Sequence, residues 1–420
     1  MDRAKLELLR LPDEKELLES LSRSINLPVL RQLARESPPE QYDREFYYRL
    51  KANALSIKHG INKPLEEIFA VVRKKLGLQD EPIELYVTSE DSFNCHFYSS
   101  NNKELPGLLC LTHSYAQVLN EKEIASVLGH EFGHLVLEHN EVEEAISLLY
   151  PSYESMPLHI RRQFNCLHKL QELSADRVSL VASGDLEASL KVLIKGASGL
   201  PENLLNLDLA SILDYSQETF DDMKKIDVYP ESSHPGIPLR ILALKAFADS
   251  DLYKFSLDGN LSEKAQAQDL ELEKKMAELT KLIKKYPSDP KEYWLMIGEA
   301  AAIWMIITAD KAISPQEREG LLDIISRFCS CPEAVAREIS EKGPETFLEV
   351  AVNYFKLNEP SKLNDMVADI ALFIVRDKRI EDRELEIFVE IMEKYFGMEK
   401  RKAITAIIAG LRVMSKQTRI

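Results

Sequence analysis

The stretch His130-Glu131-Phe132-Gly133-His134 decides how the rest of this 420-residue chain is read. It lies in a segment of helical period that opens at Asn120, where Glu123 completes the pattern of a reciprocal N-terminal cap. Residues four apart on a helix stand about 40° from one another around its axis, so His130 and His134 project from one face. Two neutral ring nitrogens converging from one face suit zinc, and Glu131 between them can act as base on a metal-bound water. A catalytic zinc takes three protein ligands, so one more must come from elsewhere.

His139 is the nearest candidate and its spacing fails. It stands nine residues after His130, and the helix is expected to run from Glu121 to about His139. Nine residues of helix turn through about 900°, which sends His139 to the side opposite His130, as a surface histidine at a helix end. Glu172 fits better. In Glu172-Leu173-Ser174-Ala175-Asp176 two carboxylates lie one turn apart on a second helical pattern over about 159–182. Glu172 can supply the third ligand, and Asp176 can accept a hydrogen bond from the free ring N–H of a ligand histidine. Antiparallel packing of the two helices would bring these groups together. Gly133 costs its helix about 1 kcal/mol relative to alanine, which a close approach by a neighbouring element would explain.

His130-Glu131-Phe132-Gly133-His134 followed by Glu172-Leu173-Ser174-Ala175-Asp176 resembles the gluzincin metallopeptidase family that contains HtpX and the CAAX-prenyl endopeptidases. The resemblance covers about 43–250. Asn94-Cys95-His96-Phe97 sits where such proteins carry an Asn-Ala-Phe-like strand, and Leu108–Thr112 precedes the motif helix as their edge strand does. Ser233-His234-Pro235 with Arg240-Ile241 is similar to the family's His-Pro and Arg-Ile pairs. The resemblance implies one catalytic zinc on His130, His134 and Glu172, with Glu131 as general base. His234 and Arg240 would face the substrate, His234 either supporting the oxyanion or filling the fourth zinc position in a resting state. A peptide or unfolded protein could pair with an edge strand at Leu109, Cys110 and Leu111 through main-chain hydrogen bonds. The implied activity is that of a zinc metalloendopeptidase, in protein quality control or stress response. The alternative is a catalytically latent zinc-binding protein that serves a stress response by interaction.

Composition excludes other classes. A net charge of −16 argues against nucleic acid or an anionic membrane surface as main partner. The N-terminal MDRAKLELLRLPDEKELLES is charged throughout and lacks the apolar core of a secretory signal. No run reaches the roughly 18 apolar residues of a membrane span; Leu295–Ala309 is shorter and contains Glu299. Five cysteines without paired metal spacing read as reduced, mostly buried thiols, and a cytoplasmic location is expected.

The expected fold class is α+β. Strand candidates at Ile83–Val87, Asn94–Ser99 and Leu108–Thr112 stand in an otherwise helical chain, giving a zincin-type domain with a small β-sheet. Helical pattern, together with what the resemblance implies, divides the chain into an N-terminal helical extension (1–42), the metallopeptidase domain (43–255), a linker helix (256–289) and an all-α domain (290–420). Leu261–Tyr286 reads as a long connecting helix without Gly. The last segment repeats itself 67 residues apart: Asp310-Lys311-Ala312-Ile313 with Glu317, and Asp377-Lys378-Arg379-Ile380 with Glu384. Lys311 replaces the glycine an EF-hand loop needs, so calcium binding of that type is not expected. The pattern resembles tellurite-resistance TerB-like domains, which implies a metal or a protein partner for this part. Helix capping is the plainer role for the acidic residues, and Trp304, Phe328, Tyr354, Phe373 and Phe388 are expected to fill its core.

Overall fold

The computed structural model describes residues 3–36, 41–99, 104–150, 152, 155–205, 207–226, 234–262, 269–284, 290–309, 313–376 and 382–417. It forms two compact units, one of residues 1–155 and 167–283, the other of 156–166 and 284–420. The class is α+β, mainly helical with one four-stranded sheet among the described residues.

The first unit begins with α1 (Arg3–Glu7), α2 (Pro12–Ile25), α3 (Leu27–Glu36) and α4 (Gln41–Asn53). The segment expected to be a separate extension is part of this unit's core, with Leu6, Leu9, Leu11 and Leu21 buried. Strand β1 (Leu55–Ser56) and α5 (Lys63–Lys75) lead to β2 (Ile83–Thr88), β3 (Cys95–Tyr98) and β4 (Gly107–Thr112). The sheet order is β1-β2-β4-β3, with β2 and β4 parallel and the other pairs antiparallel. This corrects one expectation. Leu109, Cys110 and Leu111 belong to β4, which is hydrogen-bonded on both sides, Leu109 facing Leu85 and Phe97. They offer no free edge; β3 is the edge strand on that side. Its apolar and polar residues alternate, with Cys95 and Phe97 buried and His96 and Tyr98 exposed, as a strand covered on one face requires.

After α6 (His113–Val118) comes α7 (Glu121–Val136), the helix of the histidine motif. Asn120 Oδ1 accepts from the backbone N–H of Lys122 and Glu123, and Glu123 Oε2 accepts from Asn120 N at 2.8 Å. Buried Lys195 pairs with the same carboxylate at 2.9 Å, so the cap also ties α7 to α10. Phe132 is fully buried between Phe69 of α5 and Phe97 of β3 and fixes the helix's rotation. The helix ends sooner than expected. Glu138 adopts a left-handed backbone (φ 56°), and α8 (His139–Leu149) sets off in a new direction.

The unit continues with part of α9 (Leu158–Ser183), α10 (Leu186–Ser198), α11 (Leu209–Ile226), α12 (Ile237–Ala248), α13 (Asp251–Leu257) and α14 (Leu270–Lys284). The expected long connecting helix is shorter. Its described part, α14, buries Leu272, Met276, Leu279 and Ile283, and Thr280 Oγ1 donates to Asp13 of α2 at 2.7 Å.

The second unit is all helical beyond 284 among the described residues, with Pro315, Pro332 and Pro344 each opening a helix where a missing N–H is harmless. Phe388 is fully buried in its core, against which Trp304, Phe328, Tyr354 and Phe373 pack while partly exposed. Ser314 and Glu317 form a reciprocal cap, and Glu384 lies in the first turn of Asp382–Lys394. Asp310, Lys311 and Ala312, and Asp377 to Ile380, lie outside the described residues.

Candidate metal centre

Helices α7 and α9 cross antiparallel at unusually short range. A Cβ on Gly129 would stand 2.5 Å from Ala182 Cβ, and one on Gly133 would stand 2.9 Å from Ala175 Cα. Glycine spaced by four therefore supplies the close approach that the sequence left open. The approach sets Glu172 and Asp176 of α9 against His130 and His134 of α7.

The donor atoms converge. His130 Nε2 and His134 Nε2 are 3.2 Å apart, and Glu172 places Oε1 at 3.3 Å from His134 Nε2 and Oε2 at 3.5 Å from His130 Nε2. These groups are the only cluster of metal-ligating residues found among the described residues, with one atom of each within 4.8 Å of the others. Tetrahedral zinc with bonds near 2.0–2.1 Å needs donors about 3.3–3.4 Å apart, which the spacing meets. Glu172 Oε2 is buried and makes no hydrogen bond, although Arg240 Nη1 lies 3.3 Å away. An orphaned carboxylate oxygen between two imidazoles fits a cation in their midst.

Charged neighbours keep the two carboxylates ionised and orient the His130 ring. Asp176 Oδ1 lies 3.0 Å from His130 Nδ1 and fixes that ring's orientation. Arg240, from α12, grips Asp176 with Nε and Nη2 at 2.9 and 2.7 Å. Burial works to raise the Glu172 and Asp176 carboxyls, but Arg240 and His130 outweigh it and both lie below the ordinary range. Burial disfavours a charged His130, yet Asp176 and Glu172 push its pKa up to about 10 in the metal-free chain. Protons and a cation therefore compete for this ring.

Glu131 borders the same cavity and accepts a hydrogen bond on Oε2 from the Phe97 backbone N–H at 3.1 Å. Burial raises its carboxyl pKa, against opposing pulls from His130, His134 and His96. His234 is mostly exposed at the cavity's border, Nε2 standing 3.6 Å from Glu172 Oε1. Its neighbour Ser233 lies outside the described residues. The cavity holds about 320 Å³ and has an apolar wall of Phe93, Tyr115, Val192, Leu193 and Leu244. Cys95 lines it too, but burial first and Glu131 second raise its thiol well above the usual range, so it stays protonated.

The structure thus brings together His130, Glu131, His134, Glu172, Asp176, His234 and Arg240, and leaves Leu109–Leu111 inside the sheet. His139 departs from expectation. It is buried, and its Nδ1 lies 2.9 Å from His134 Nδ1. The turn at Glu138 swings it back towards the site, where a continuous helix would have carried it away. Behind it stands Glu14 of α2, also buried, with Oε1 3.2 Å from His139 Nε2. One signal for Glu14 exists in the sequence: it stands at a core position of α2, in helical period with Leu11, Leu17 and Leu21, where a charge needs a partner.

Residues 61–158 match the model of Peptidase family M48, which supports a metal-dependent peptidase. That segment holds both histidines and Glu131, while Glu172 lies beyond it. Neither the curated proteins nor the solved structures give a match to the chain.

Proposed function

We propose that this chain is a zinc metalloendopeptidase acting on extended or unfolded protein segments, with Glu131 as general base. The convergence of His130, His134 and Glu172 carries the reading, in a chain that matches a peptidase family over the motif. Zinc held by these residues supplies a Lewis acid for the scissile carbonyl and a water acidified towards a pKa of about 7. Glu131 takes the proton from the attacking water and passes it to the leaving amine. Glu131 borders the cavity beside His130, within reach of a water held there. The Phe97 N–H holds one Glu131 oxygen, leaving the other for that proton. Arg240 keeps Glu172 and Asp176 ionised and does not need to touch the substrate. An extended substrate adds to the sheet along β3, and an apolar side chain enters the cavity beside Phe93 and Leu193.

His234 supports the oxyanion from the cavity's mouth. The latent alternative has it on the metal instead, a reading favoured by its 3.6 Å distance from Glu172. Protein quality control in the cytoplasm is the role we assign to the chain; among the described residues no helix is long and apolar enough to cross a membrane. The second unit, read as TerB-like, would take a protein partner or a metal.

The test is cleavage of casein by the zinc-loaded chain. Glu131→Gln should keep its zinc and lose about 10²-fold or more of the rate, and full activity in that variant would end the mechanism. Glu172→Ala should lower zinc content. His234→Ala should slow cleavage about 10²-fold if it serves the oxyanion; faster cleavage would instead mark a plug.

A further inference from the structure

We infer that Glu14 and His139 are positioning residues for the metal ligand His134, so that the N-terminal helices are a working part of the metal centre. The inference rests on the reading of His134 as a ligand through Nε2.

His134 Nε2 faces His130 and Glu172, and its Nδ1 faces His139 Nδ1 at 2.9 Å. Two ring nitrogens at that distance share one proton, so one donates and the other accepts. A ligand nitrogen gives its lone pair to the metal, which leaves the proton of neutral His134 on Nδ1. His134 Nδ1 therefore donates, His139 Nδ1 accepts, and the proton of a neutral His139 sits on Nε2. That atom faces Glu14 Oε1 at 3.2 Å, a close electrostatic contact without an aligned hydrogen bond. Glu14 is itself fixed. Arg10 Nη1 donates to its Oε1, and Ser174 Oγ donates to its Oε2 at 2.5 Å. Ser174 in turn accepts from the Leu11 backbone N–H at 3.0 Å and sits two residues after Glu172.

The arrangement mirrors the other ligand. Asp176 orients His130 directly, with Arg240 behind it; Glu14 orients His134 through His139, with Arg10 behind it. A leucine at 14 would pack α2 as Leu11 and Leu17 do, so packing alone gives no reason for a fully buried carboxylate there. A simple staple would need Arg10 and Glu14 but no histidine pair pointing at the metal.

The deciding experiment compares zinc affinity by chelator competition in wild type, His139→Phe, His139→Gln and Glu14→Gln. Melting of the metal-free proteins serves as the folding control. His139→Phe should bind zinc about ten- to hundred-fold more weakly, and Glu14→Gln should weaken it in the same direction. His139→Gln, which restores an acceptor for the His134 Nδ1–H, should recover most of the affinity. In the cobalt-substituted protein the exchangeable ring N–H signal of His134 should persist in wild type and broaden into solvent in His139→Phe. If His139→Phe does not fold, Glu14→Gln and the cobalt spectrum of His139→Gln decide. Affinities of Glu14→Gln and His139→Phe within about twofold of wild type would overturn the inference. Failure of the ligand reading looks different: wild type without zinc affinity, or His134→Ala binding as tightly as wild type.

Discussion

A Cβ at Gly133 would meet the backbone of Ala175, where no flexible side chain can give way. Alanine there offers the helix up to about 1 kcal/mol of propensity. The helices must separate to admit it, and overpacking of this kind costs about 1–3 kcal/mol. Steric cost should win, and because Ala175 lies between Glu172 and Asp176, the separation should also spread the donor atoms. Gly133→Ala is therefore expected to lower the urea midpoint modestly and to weaken zinc binding. A variant that binds zinc like wild type would show that the close crossing is not what sets the donor spacing. The same residue explains why two carboxylates one turn apart on α9 can be ligand and orienting group for a different helix. Asp176 reaches His130 at 3.0 Å only because the axes lie so near.

At the scale of elements, local patterns were legible and long-range ones were not. The cap of α7, the extent of α9 and the three principal strands follow from capping residues, helical period and apolar runs, which act over a few residues. The pairing of those strands does not. Whether β3 or β4 lies at the edge depends on β4 entering beside β2 in parallel, a pairing between distant segments that no local pattern encodes. His139 lies off the projection of a continuous helix because one left-handed residue, Glu138, redirects everything after it. Glu14 reaches the centre by tertiary contact alone. An element-scale prediction concerns the start of α9, where His159 N and Nδ1 approach Asp323 Oδ1 at 3.2 and 2.8 Å and Arg376 Nη2 donates to Oδ2 at 3.0 Å. Burial works to raise the Asp323 carboxyl, yet these donors hold it below its ordinary value. A carboxyl depressed on folding stabilises the native state above its unfolded pKa, about 3.9, and loses that contribution as pH falls below it. Asp323→Asn should thus be less stable than wild type at pH 7, with the gap closing towards pH 3. Urea midpoints across that range check it, and a gap independent of pH would contradict it.

For the molecule as a whole, the two units differ in what holds them. The second has a continuous apolar core from Met296 to Ile407 and does not include the cluster of metal-ligating groups. The first places His130, Glu172, Asp176 and Arg240 in its interior, close charges whose mutual pairing a cation would complete. A ligand that binds only the folded form stabilises it by mass action, about 4 kcal/mol at a thousandfold excess over its dissociation constant. Zinc should therefore act on the first unit alone. Scanning calorimetry of the zinc-loaded chain is expected to show two transitions, one of which moves down when a chelator removes the metal while the other stays. Asp323→Asn should move the second and leave the chelator-sensitive one in place. A single transition that shifts as a whole under both treatments would mean that the units unfold as one cooperative body, and the separate accounting of their stability would then be wrong.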